Sequence, residues 1–101
     1  MITFTEINID SSDDYDFSNF ELWYDDLEEA GITRVIVAYD DGVVGFQTIN
    51  NDGKTVAIET IESRRGEGIG FLMILESGSY KPERNENPEF WEHVAELYEN
   101  Y

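Results

Sequence analysis

The sequence predicts one α+β domain spanning residues 1–101, an antiparallel sheet of about five strands flanked by two helices. Three observations carry this. Apolar and β-branched residues alternate in several short runs, and glycine turn signals separate those runs. Two further segments instead space their apolar residues at helical intervals. A chain of 101 residues with 41% hydrophobic and 14% aromatic content can close one core without staples.

The first element is "ITFTEINI" (2–9), whose alternation reads as a strand. An acidic loop follows, and then "FSNFELWYDDLEEAG" reads as a helix. Ser18 stands as N-cap, Glu21 completes a capping box, Phe17 and Leu22 form a hydrophobic staple, and Gly31 is the stop. Phe20, Trp23, Tyr24, Leu27 and Ala30 would form its apolar face. "TRVIVAYD" and "VVGFQTIN" flank Asp41-Gly42, a strong hairpin signal, and "NNDGK" turns the chain into "TVAIETIE". After the glycine segment "SRRGEGIG", the run over 69–76 is continuously apolar, and strand and short helix both fit it. Asn87 and Pro88 then open a last helix, "PEFWEHVAELYENY".

Charge is the outlying property, with 23 acids against 6 bases and a net of −17. Residues 1–33 hold ten acids and no base, and residues 82–101 add six acids and one arginine. Such a field repels nucleic acid and anionic membranes and attracts basic protein surfaces. There is no cysteine, hence no disulfide framework or thiolate metal site. Met1 leads into a strand-like run rather than a signal peptide, and no apolar stretch is long enough to span a membrane, so a cytoplasmic location is expected.

The charge itself suggests a function. Acids three and four apart on a helix repeat at about 5 Å along the axis, a pitch that imitates a run of phosphates. The expected contacts are Asp13, Asp14, Asp16, Asp25, Asp26, Glu28, Glu29, Glu92, Glu96 and Glu99, with Tyr15, Tyr24, Tyr80 and Tyr101 as edge anchors. On this reading the chain is a non-enzymatic inhibitor without cofactor that occupies the basic, nucleic-acid-binding surface of a partner protein. Small acidic α+β proteins of this kind include phage anti-restriction and anti-CRISPR proteins. An immunity or antitoxin-like nuclease inhibitor would use the same electrostatics.

A calcium reading competes with this. Asp10, Ser12, Asp14, Asp16 and Glu21 take positions 1, 3, 5, 7 and 12 of an EF-hand-like loop, but Tyr15 stands where glycine is required. The expectation is a solvated acidic loop with no metal. His93, the only histidine, has no companion for a zinc set and reads as a boundary residue.

The glycine segment points elsewhere. Arg65-Gly66-Glu67-Gly68-Ile69-Gly70 fits R-x-x-G-x-G directly after a strand. Together with the hairpin "VIVAYDDGVVGFQTI" and the late helix, it resembles the GNAT family of acetyl-CoA-dependent N-acetyltransferases over roughly half the chain. The resemblance implies acetyl-CoA held at Arg65, Glu67, Gly68 and Gly70, Tyr98 as general acid near the thiol, and Glu59 or Glu62 as base. The alternative to a cofactor cradle is a plain turn between strands.

Overall fold

The computed structural model describes residues 1–100. Four strands form one antiparallel meander in the order β1 (Thr3–Ile7), β2 (Ile32–Tyr39), β3 (Val43–Asn50) and β4 (Thr55–Thr60). Two helices follow, α1 (Ile69–Ser77) and α2 (Pro88–Asn100). The class is α+β. Tyr101, expected to close the last helix and to serve as an edge anchor, lies outside the described residues.

The turns form where glycine and asparagine signal them. Asp41 and Gly42 both take positive φ, 55° and 133°, at the β2–β3 hairpin. At the next turn Gly53 has φ 78°, and the Asn50 side chain accepts the amides of Asp52 and Lys54, each at 3.0 Å. Val35, Ile36, Val37 and Ala38 of β2 are all buried because both faces of the sheet are covered. Alternation sends Val35 and Val37 to one face, with Phe46. Ile36 and Ala38 go to the other, against Ile69 and Met73 of α1.

The Phe46 face is covered by residues 8–31, and here the structure differs from the expected helix. Residues 9–14 form a 3-10 helix, and beyond it the chain runs through bends and turns without an α-helix. Phe17 stacks on Trp23 at 3.6 Å and 9°, while the rings of Phe17, Phe20 and Trp23 meet Phe46 edge-on at 5.9, 5.3 and 5.2 Å. Helical spacing of aromatic residues serves equally for an irregular strap wrapped around one central ring. The local helix signals are spent differently. Ser18 donates its amide and hydroxyl to Asp16 Oδ1 at 2.9 and 2.6 Å, and Leu22, the intended staple, is 51% exposed. Asp25, Asp26, Glu28 and Glu29 would crowd like charges onto one helix surface with no base between them. They form only a short turn, in which the Ile32 amide reaches Leu27 O at 2.9 Å.

The other face takes α1, so the apolar run over 69–76 is helical. Gly68 (φ 80°) opens the helix and Gly78 (φ 77°) closes it, the Gly78 amide reaching Ile74 O at 2.8 Å. α1 sits unusually close to the sheet at Gly45, where a Cβ would lie 3.1 Å from Glu59 O, 3.2 Å from Met73 Cε and 3.3 Å from Ile69 Cγ2. α2 packs Trp91 and Val94 against Ile74 of α1, with Ile58 of β4 alongside. No helix of the described residues is long and apolar enough to cross a membrane.

Candidate functional site

A cleft of about 830 Å³ runs along the outer edge of β4 and ends at the glycine segment. That volume lies within the range of small-molecule sites. β4 forms one wall from Thr55 to Thr60, the Arg64–Gly70 segment closes one end, and Phe90, Trp91, His93 and Leu97 of α2 form the far wall.

The cleft exists because β4 loses its outer neighbour early. The chain returns beside Thr55 in a single parallel bridge to Pro82, in which the Thr55 amide reaches Lys81 O at 2.9 Å and the Glu83 amide reaches Thr55 O at 2.8 Å. From Val56 onward no strand of the described residues pairs with the outer side of β4. Such an edge leaves main-chain donors and acceptors available to an extended ligand. Val56 is also the extra residue of a bulge, since Thr48 pairs with Ala57 and Ile49 with Thr55. Bulges re-aim the chain and occur preferentially next to active sites.

A buried polar cluster fixes the returning segment. Gln47 Nε2 donates to Thr55 Oγ1 at 2.8 Å and to Ser79 O at 3.1 Å, and Ser79 Oγ donates to Gly53 O at 2.7 Å. Gln47, Thr55 and Ser79 are all buried, so these bonds are costly to lose. None of the three stood out in the sequence. The available signal was a glutamine placed between phenylalanine and threonine in an otherwise apolar strand.

The glycine segment is a shaped loop that leads into a helix. Gly66 and Gly68 have φ of 88° and 80°, values only glycine takes readily, and a Cβ at either would meet nothing within 4 Å. The backbone angle requires glycine there, and the space beside it is open. The first amides of α1, those of Ile69 and Gly70, have no partner within the helix by its geometry. Arg64 ties the loop to the β2–β3 hairpin, holding Glu67 at 2.9 Å and Asp40 at 3.1 Å. Its hydrogen bond, with help from the Met1 amino group, keeps the Asp40 carboxyl below the usual range.

Arg65 donates Nε to Thr60 O at 3.1 Å. No ion pair among the described residues involves Arg65 or Arg84, both of which line the cleft. In a chain with 23 acids and 6 bases, these two arginines line the cleft outside any such ion pair, beside the carboxylates of Glu21, Glu59 and Glu86.

The sequence-derived candidates divide. Arg65, Gly68, Gly70 and Glu59 line the cleft, and Glu67 stands on its loop with its carboxylate held by Arg64. Glu59 already accepts the amides of Glu21 at 3.3 Å and Leu22 at 2.9 Å, which pins the aromatic strap to β4. Tyr98 is not among the lining residues and stacks on Tyr80 at 4.4 Å and 18°. Glu62 sits exposed in a 3-10 turn outside the cleft. His93, expected only as a boundary residue, does line it.

The calcium pattern is not realised. No group of three or more acids or histidines among the described residues could hold a metal ion. The 3-10 helix over residues 9–14 replaces a ligating loop, and Asp16 is committed to Ser18. The ten acids expected to contact a partner are all exposed. Glu92, Glu96 and Glu99 share one face of α2, whereas Asp25, Asp26, Glu28 and Glu29 form no helical row.

Fold comparison makes the architecture GNAT-like across nearly the whole chain. The similar solved structure is an acetyltransferase, GNAT family protein, from Streptococcus pneumoniae, with a TM-score of 0.64 and 20% identity over 94% of this chain and 86% of that one. The sequence matches no family profile and no curated protein.

Proposed function

We propose that this chain binds acetyl-CoA in the β4 cleft and transfers the acetyl group to an amine. One observation carries the reading: an unpaired strand edge leads along the cleft to a glycine loop at a helix start, where Arg65 has no carboxylate partner. The residues fit the cofactor's chemistry. The β4 edge from Val56 to Thr60 would pair with the amide-bearing pantetheine arm. The amides around Gly68, Ile69 and Gly70 would face the pyrophosphate, and Arg65 would supply opposite charge. The bound cofactor supplies an activated thioester. The chain's part is to orient it and to move a proton. His93 is the group for that task in the cleft, since an imidazole has one nitrogen to accept a proton and one to donate, and Glu59 is engaged with two amides. A cytoplasmic location follows from the need for a diffusible acyl-CoA pool.

Titration of acetyl-CoA into isotope-labelled protein tests this. Saturable amide shifts are expected at Gly66–Gly70 and along β4. Their absence at millimolar acetyl-CoA would sink the proposal.

A second reading is favoured by the exposed Glu92, Glu96 and Glu99 face of α2 and the base-free stretch over residues 1–33. On it the domain blocks a basic, nucleic-acid-binding partner protein, as a phage-type or immunity-type inhibitor would. Such association weakens steeply with salt. An affinity unchanged between low and high ionic strength would remove it.

A further inference from the structure

A second cavity, of about 540 Å³, lies on the Phe46 side of the sheet, away from the β4 cleft. Thr5 and Val37 form its floor, and Tyr15, Tyr39, Asp14 and Asp16 form its walls. The two tyrosine rings stand nearly perpendicular, 78° apart with centroids separated by 6.5 Å. Rings set at a right angle beside one cavity form a corner, and aromatic corners of this kind receive alkylated ammonium groups. Tyr39 is 44% exposed, so its ring is open to solvent rather than consumed by the core.

The charges agree. No ion pair among the described residues involves Asp14 or Asp16, and residues 1–33 contain no base. Asp16 uses Oδ1 for Ser18. The remaining carboxylate oxygens of the pair have no cation from this chain. A metal ion fits poorly, because no group of three ligating side chains assembles among the described residues. An aromatic-walled cavity with two carboxylates suits a bulkier, weakly hydrated cation.

We infer that the cavity between residues 14–16 and the β2–β3 hairpin binds an organic ammonium ion, caged by Tyr15 and Tyr39 and neutralised by Asp14 and Asp16. This site is independent of the cofactor cleft, and its test does not involve acetyl-CoA.

Choline and its neutral carbon isostere dimethylbutanol are titrated into labelled protein at physiological salt, following the Tyr15 and Tyr39 signals. Choline should give saturable shifts there, with the isostere at least about tenfold weaker. Tyr39→Phe should retain binding, while Tyr39→Leu should lose roughly threefold to tenfold. Asp14→Asn changes only an exposed carboxylate, so it keeps the test valid should Tyr39→Leu disturb the fold. It should weaken choline about threefold, in keeping with a partly screened charge. Equal affinity for choline and the isostere, shifts linear in concentration, displacement of choline by calcium, or full choline affinity in folded Tyr39→Leu or Asp14→Asn would each overturn the inference.

Discussion

Adding one methyl group at Gly45 tests how tightly α1 is seated on the sheet, and with it the placement of the glycine loop. The Cβ of Gly45→Ala would lie 3.1, 3.2 and 3.3 Å from Glu59 O, Met73 Cε and Ile69 Cγ2, where ordinary contact begins at 3.4 Å. The Met73 methyl ends a flexible side chain and can give way, at a cost to its own packing in the core. Glu59 O belongs to β4, and Ile69 stands at the start of α1, so relief there requires β4 or α1 to shift by a few tenths of an ångström. Overpacking of this kind costs about 1–3 kcal/mol. Alanine restricts the unfolded chain more than glycine and returns about 0.4–1 kcal/mol. The net expectation is a loss of roughly 0.5–2 kcal/mol, or about 3–15 °C in Tm for a domain of this size. Urea and thermal unfolding read it directly. In a Met73→Ala background one of the three contacts is gone, so the two losses should sum to less than their separate values. A Gly45→Ala protein as stable as the parent, or additive losses in the pair, would refute this account of α1 seating.

Glu59→Ala removes the acceptor of the Glu21 and Leu22 amides, and should cost about 1–2 kcal/mol and speed hydrogen exchange at Leu22. Unchanged exchange would show that the strap is held by its rings alone. Glu6 has its carboxyl pulled below its ordinary value near 4.5, first by the hydrogen bond from Arg34, at 2.6 Å, and then by its charge. A carboxyl lowered by folding stabilises the protein above its unfolded pKa and loses that contribution as pH falls through the lowered value. Both partners are substantially exposed, so the contribution is well under about 1 kcal/mol. Comparing Glu6→Gln with the parent by denaturant titration should therefore give a small deficit at neutral pH that vanishes in acid. A deficit that persists below that range would assign it to packing instead.

Much of the fold is legible in local sequence because its causes are local. Alternating runs specify the strands, Asp41-Gly42 and the Asn50–Lys54 turn set their connections, and Asn87-Pro88 opens α2. The glycine loop was legible for the same reason, since positive φ at Gly66 and Gly68 is a property of single residues. Residues 17–30 were not, because apolar spacing states what must be buried and leaves the backbone path open. Phe46, nearly thirty residues downstream, gathers Phe17, Phe20 and Trp23 around one ring and decides that path.

The same division holds at the candidate site. By itself the sequence marked Arg65, Gly68 and Gly70 as candidates and determined how sparse positive charge is around them. Tertiary structure decided the rest. It placed His93 in the cleft and Tyr98 against Tyr80, because different faces of α2 meet different surfaces. It opened the β4 edge through the Gln47–Thr55–Ser79 cluster, whose members are separated in sequence by up to 32 residues. Such a cleft forms only where segments distant in the chain meet, and no window of sequence contains that meeting.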